Sequence, residues 1–195
     1  MTNTQTKIGL SEQFIICGGI SWERFTKINE AFDGIGGLRL IYCEGVLEIV
    51  PLSKIHEFIC NLLGYLLVTY FVHKRINFFP SGAYSQKVEG ITEFQSDLSY
   101  SFDTDKDVPD LCIEVIVSSG GVDKLRKYQL RRVPEVWFWQ DNQITVYCLV
   151  DGNYHQWEGS RCLPDLDLAF VCQCLAQDAP LNASLLFAER YQAVH

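Results

Sequence analysis

The longest apolar-rich stretch of the chain, residues 58–72, carries its hydrophobic side chains at helical spacing. His56, Ile59, Cys60, Leu63 and Leu67 recur at intervals near three to four, so residues 53–70 predict a long helix. Its near-continuous apolar character marks it as buried. An earlier stretch, from Ser21 to about Phe32, is also helix-like, and serine is a good N-cap. Asp33-Gly34-Ile35-Gly36-Gly37 then breaks the chain.

Between and beyond these segments the pattern turns β-rich. Residues 38–42 and 46–50 flank Glu44-Gly45, which is a hairpin signal. Strand-like runs follow around 83–88, 97–102 and 111–117, and residues 123–131 predict a short helix. Residues 136–140 and 144–150 predict strands about the turn Asp141-Asn142-Gln143, with 154–157 extending the sheet. The tail, 164–191, predicts two short helices. This order predicts an α/β fold with a mixed central β-sheet flanked by helices.

A length of 195 residues suits one domain, and no linker or repeat divides it. The expectation is a single domain, 1–195, with a core at about 22–167 and a helical tail at about 168–195. Apolar residues make up 48%, which excludes global disorder. Residues 1–10 are polar and lack the apolar core of a signal peptide. The 58–72 stretch reads as too short and too interrupted to span a bilayer. Cytoplasmic residence without a membrane partner is therefore expected. There are eight cysteines and no Cys-x-x-Cys pair, so reduced, mostly buried thiols are expected and no zinc-type ligand spacing is evident.

Charge complicates any nucleic-acid role. The net charge of −8 opposes a strong non-specific grip on DNA. Residues 124–132 nevertheless gather Lys124, Arg126, Lys127, Arg131 and Arg132 with no acid among them. This basic segment either contacts a phosphate backbone or forms a solvated face.

Two acids stand out because they lie on apolar strands, where an unpaired carboxylate is costly. Glu114 interrupts Leu111-Cys112-Ile113-Glu114-Val115-Ile116-Val117. A buried functional acid is the preferred reading, and a solvent-facing edge position is the competing one. Asp110, four residues earlier on the same strand, would lie about 13 Å away, too far to share one oxygen-liganded ion. Asp97 opens a different strand, and neighbouring strands lie about 5 Å apart. Asp97 and Glu114 are therefore the expected pair for a divalent metal, Mg²⁺ or Mn²⁺ from the oxygen ligands.

Several motifs together resemble one family. Val108-Pro109-Asp110-Leu111-Cys112-Ile113-Glu114-Val115 resembles the PDLVIEV strand of the Uma-type restriction endonucleases, a bacterial family of the PD-(D/E)XK nuclease superfamily. Val133-Pro134-Glu135-Val136-Trp137 is similar to their GVPEYW signature. Lys124 and Tyr128 match their K-x-x-x-Y helix, Glu44-Gly45-Val46-Leu47-Glu48-Ile49 their DGxLE hairpin, and His56-Glu57 their HE helix start. The match runs from about Trp22 to Asp167.

The resemblance implies a restriction-endonuclease-like core and metal-dependent hydrolysis of nucleic acid, DNA in the first instance. It implies Asp97 and Glu114 as metal ligands, Lys124 as a catalytic lysine displaced to the following helix, and Glu57 as an accessory acid. Lys127, one helical turn on, could serve in place of Lys124. Lys127, Arg131 and His56 are candidate nucleic-acid contacts. Two departures stand beside the match: Ser96 precedes Asp97 where the family has proline, and apolar Ile116 holds the superfamily's E-x-K lysine position. A catalytically inactive nuclease-fold domain, acting as a binding or regulatory module, is the alternative. A homodimer is a further expectation, with the aromatic-rich tail (Phe170, Leu185, Leu186, Phe187, Tyr191) as either its interface or a cap on the core.

Overall fold

Three pairs of turn residues set the hairpins. Glu44-Gly45, Asp141-Asn142 and Asp151-Gly152 all have positive φ at both positions. That backbone matches the twist of two strands joined by a two-residue loop. The first joins β2 (Leu38–Cys43) to β3 (Val46–Pro51). The other two join β9 (Glu135–Gln140), β10 (Gln143–Val150) and β11 (Asn153–Trp157) into a meander. The computed structural model describes residues 14–82, 84–117 and 124–191. Ala83, Asp123 and the polar start at residues 1–10, used in the sequence reading, lie outside them.

The described strands form two sheets. The remaining strands are β1 (Ile15–Cys17), β4 (Phe78–Pro80), β5 (Ser85–Val88), β6 (Thr92–Gln95), β7 (Leu98–Phe102) and β8 (Leu111–Ile116). The six-stranded sheet has the order β11-β10-β9-β8-β7-β4. It is mixed: β8 and β9 run parallel and the other neighbours are antiparallel. Parallel neighbours require a crossover, and α3 (Lys124–Arg131) lies in that connection. A second, five-stranded antiparallel sheet has the order β1-β3-β2-β6-β5. The sequence pattern pointed to one sheet. It missed β1, β4 and β6 because each is only three or four residues long.

Ser53 caps the long helix α2 (Lys54–Lys74), its Oγ accepting the His56 N–H at 3.2 Å. Leu63, Leu66, Leu67, Tyr70 and Phe71 are buried on its sheet-facing side against Leu111, Ile113 and Trp137. At 21 residues, α2 is long and apolar enough to cross a membrane by length and composition alone, longer than the 58–72 stretch suggested. Half of its apolar stretch is buried within the fold. Gly64 lets α2 approach β7 closely: a Cβ there would sit 3.3 Å from Leu98 Cδ2.

The tail forms α4 (Leu168–Leu175) and α5 (Pro180–Tyr191), and it caps the core. Phe187 is fully buried, and Tyr191 packs on Tyr70 with ring centroids 5.0 Å apart. Leu181 and Leu185 face outward. The N-terminal helix α1 (Trp22–Ala31) is capped by Ser21 and buries Phe25 against Tyr42, their rings stacked at 4.7 Å.

Candidate functional site

Alternation along β8 divides its side chains between two faces. Leu111 and Ile113 join the core beneath α2, and Val115 packs on Ile59 and Cys60 of that helix. Cys112 turns the other way, toward Tyr128 of α3. Glu114 shares this second face. Its Oε1 accepts from Lys127 Nζ at 2.6 Å and from the Tyr128 hydroxyl. Lys127 is almost wholly buried, and its ammonium also lies 5.0 Å from the ring centroids of Phe94 and Tyr128.

Asp97 immediately precedes β7, which pairs antiparallel with β8 in the register Leu98↔Ile113. One position further, that register sets Asp97 opposite Glu114, where directly facing residues are about 5 Å apart at Cα. Asp97 Oδ2 accepts the Val115 N–H at 2.6 Å. Oδ1 is bonded by the guanidinium of Arg39 on β2 and lies 3.1 Å from His56 Nε2. Burial alone would raise the pKa of this carboxyl. The His56 hydrogen bond, the Arg39 charge and the Val115 amide outweigh burial and hold it at about 2. His56 moves the opposite way. Desolvation pulls its pKa down, but the Asp97 carboxylate prevails and leaves it above the ordinary histidine value.

A small cavity of about 90 Å³ lies between the two sheets, bordered by both acids. Arg39, Glu48 and His56 also line it, as do Lys124 and Lys127 from α3. The space suits an ion and a few waters, not a nucleotide. Lys124 is half-buried, and desolvation depresses its pKa below the usual lysine value despite the pull of Glu114. Ile116, at the E-x-K lysine position, adds an apolar wall.

The remaining sequence candidates lie elsewhere. Glu57 is half-exposed and borders a separate, open groove of about 470 Å³ that shares Arg39 and Asp97 with the cavity. Arg131 is held by Gln86, the Asp107 carbonyl and the Asp107 carboxylate, and does not reach the cavity. Asp110 accepts from Lys106 and from the Phe102 N–H, a structural role at the start of β8. Glu135, from the Pro-Glu-Val-Trp motif, is buried and accepts from Trp137 Nε1, Ser160 Oγ, Arg161 N and Cys162 N. It pins the segment after β11 to the sheet.

Sequence reasoning missed three participants. Arg39 and Glu48 are single charges within the apolar strands β2 and β3, Glu48 noted only as part of the hairpin motif, and the folding of the second sheet over β8 makes them site residues. The third is Cys60. Its Sγ lies 3.7 Å from both ring nitrogens of His56, and His56, Cys60 and Asp97 bring their donor atoms within 4.8 Å of one another. The signal was the i,i+4 spacing of His56 and Cys60, a pattern outside the zinc-finger spacings. All eight cysteines are free thiols.

The two carboxylates and Glu48 supply oxygen donors of the type a hard divalent cation takes. Those donors fit Mg²⁺ or Mn²⁺ in chemical type. A cation at Asp97 would have to share that carboxylate with Arg39, or displace it.

A mixed sheet with α2 on one face and a crossover helix carrying lysines to a carboxylate pair is a nuclease-like α/β fold. A crystal structure described as "a putative nuclease belonging to DUF820", from Anabaena variabilis ATCC 29413, resembles it with a TM-score of 0.50 and 13% identity. The likeness covers 86% of this chain and 99% of that one. No curated protein matches the chain. The model of the family Uma2, described as "Putative restriction endonuclease", matches residues 22–183, and the chain belongs to that family.

Proposed function

We propose that this protein is a metal-dependent nuclease that hydrolyses phosphodiester bonds, with DNA as the first substrate to test. The carrying observation is that Asp97 and Glu114, from neighbouring strands, border one cavity together with Lys124. Asp97 and Glu114 would hold Mg²⁺ or Mn²⁺, which supplies Lewis-acid polarisation of a phosphate oxygen and an acidified water. Lys124 has the place and the burial to orient a water and to stabilise charge developing on the phosphate. Lys127 and Tyr128 fix the Glu114 carboxylate by donating to Oε1. The cavity excludes a nucleotide by size, so the scissile phosphate would approach at its mouth.

The test is cleavage of plasmid, single-stranded DNA and RNA in Mg²⁺ or Mn²⁺. The native protein should cut at least one, and Glu114→Ala should lose about 100-fold or more, the scale for removing a strong electrostatic group. No cutting of any substrate in either metal would overturn the proposal.

Two observations favour a second reading, a nuclease-fold module without catalysis. Arg39 already neutralises Asp97, and Ile116 takes the place of a lysine. Calorimetry separates the two. Absence of heat on adding millimolar Mn²⁺ favours the module, and saturable binding lost in Glu114→Ala favours the enzyme.

A further inference from the structure

Asp97 has a second side, turned away from Glu114 and toward α2. There His56 and Cys60 sit one helical turn apart, both buried, with Asp97 buried between them and Arg39. We propose that His56 Nε2, Cys60 Sγ and Asp97 Oδ1 form a site for a borderline-soft divalent cation of the zinc class, on the other side of the Asp97 carboxylate from Glu114 and sharing that carboxylate with the oxygen-donor site for Mg²⁺.

Four observations carry it. The first is distance. In a tetrahedral zinc site a sulfur and a nitrogen ligand lie about 3.6 Å apart, and a nitrogen and an oxygen about 3.3 Å. Here Cys60 Sγ to His56 Nε2 is 3.7 Å and His56 Nε2 to Asp97 Oδ1 is 3.1 Å. Sγ is equally 3.7 Å from Nδ1, so it lies beside the ring, and Cys60 must turn toward Nε2 to share an ion with it. The second is the outer partner. A ligating histidine characteristically donates its other ring nitrogen to a carboxylate. His56 Nδ1 lies 3.1 Å from Glu57 Oε1, which fixes the ring with Nε2 inward. The third is access. Cys60, Asp97 and Glu57 border the open groove of about 470 Å³, so an ion and a water as fourth ligand have a path in. The fourth is donor softness. A thiolate with an imidazole selects zinc-like ions over Mg²⁺.

Charge and protons balance. The cation takes the place of the proton that His56 Nε2 shares with Asp97 and displaces the Cys60 thiol proton. Two protons pass to solvent for each ion bound. Thiolate and carboxylate then neutralise the dication. Arg39, bonded to the same Asp97 oxygen, opposes the ion by its charge.

Cobalt reports on this site directly, because a thiolate bound to Co²⁺ gives a charge-transfer band in the near ultraviolet. Metal-free full-length protein is titrated with Co²⁺ without nucleic acid, so the result is independent of the nuclease reading. The expected result is one equivalent bound with a thiolate band that zinc bleaches and Mg²⁺ does not. Cys60→Ser should abolish the band. A band absent from the native protein, or retained in Cys60→Ser, overturns the proposal. Glu57 is half-exposed, so Glu57→Gln should fold whatever Cys60→Ser does. It should keep the band with about tenfold weaker cobalt affinity, the scale for losing an outer-sphere partner. Unchanged affinity in Glu57→Gln overturns the assignment of His56 as a ligand.

Discussion

At the scale of single residues, the site is a set of charges that burial would not tolerate alone. Asp97 is the clearest case, with a side chain that is 1% exposed and three donors around it. Its depressed pKa fixes the sign of a stability change. The folded carboxyl titrates at about 2 and the ordinary value is 3.8, so its contribution is complete above about pH 4 and lost as pH falls toward 2. His56 has the opposite sign: its pKa is raised, so its contribution is complete below 6.5 and lost as pH rises through the folded value. Urea midpoints for the native protein and Asp97→Asn, measured from pH 2 to 5, test the first. The native curve should fall more steeply toward acid, and parallel curves would refute the assignment. Arg39→Ala should be costlier than a surface change, by about 3 kcal/mol at neutral pH, because it strips the main cation from a buried carboxylate. Loss of less than 1 kcal/mol in urea denaturation would mean that His56 and the Val115 amide suffice. Glu114 was legible as an acid inside an apolar run. Asp97 followed by excluding Asp110 on distance. Arg39 also interrupts an apolar run, Leu38-Arg39-Leu40-Ile41-Tyr42, but nothing in that run marks the partner that another sheet brings.

Elements, not single residues, decide whether these groups meet. Strong periodicity made α2 readable, and the turn pairs made the hairpins readable, since both are local properties of the chain. The short strands were not, because β1, β4 and β6 acquire their identity from pairing. Pro80 even argues against a strand, and the conflict is resolved by the edge position of β4. The distance between α2 and β7 is where packing governs chemistry. His56 and Cys60 meet Asp97 from a helix that Gly64, two turns beyond His56, lets down onto Leu98. Gly64→Val should place methyl groups against Leu98 and Tyr100 and cost about 1–3 kcal/mol by overpacking. It should also loosen the His56–Asp97 contact, seen as an imidazole titration shifted toward the ordinary value by NMR. Stability lost with that titration unchanged would mean that the helix yields elsewhere. Glu135 makes a complementary case outside the cavity lining. It resembled a signature motif in the sequence, yet its carboxylate is consumed by four N–H and O–H donors, Trp137 Nε1 on β9 and three from residues 160–162, which it thereby holds to that strand. Glu135→Ala should cost about 3 kcal/mol, measured by urea denaturation, by leaving those buried donors unpaired.

At the scale of the whole molecule, the balance of charge limits how it could hold a polyanion. The net charge is −8, and most of the basic cluster that offsets it is paired with the protein's own acids. Lys127 is bonded to Glu114, Arg126 to Glu44 and Arg131 to Asp107. A protein that neutralises Z phosphates with Lys and Arg shows a slope of about −0.9Z when log affinity is plotted against log salt. With most of its cations already paired to acids, this cluster could contact more than two or three phosphates only by breaking those ion pairs. If the protein binds duplex DNA as the nuclease reading requires, the slope without divalent metal should be shallower than about −3, and affinity should rise when Mg²⁺ or Mn²⁺ is added. Fluorescence anisotropy of a labelled duplex across a salt series measures both. A steep slope in metal-free buffer would mean that Arg126 and Arg131 leave Glu44 and Asp107 for phosphate, and the cluster would then be the grip. A shallow slope with metal-dependent affinity would place recognition at the carboxylate cavity, with the ion bridging two negatively charged partners.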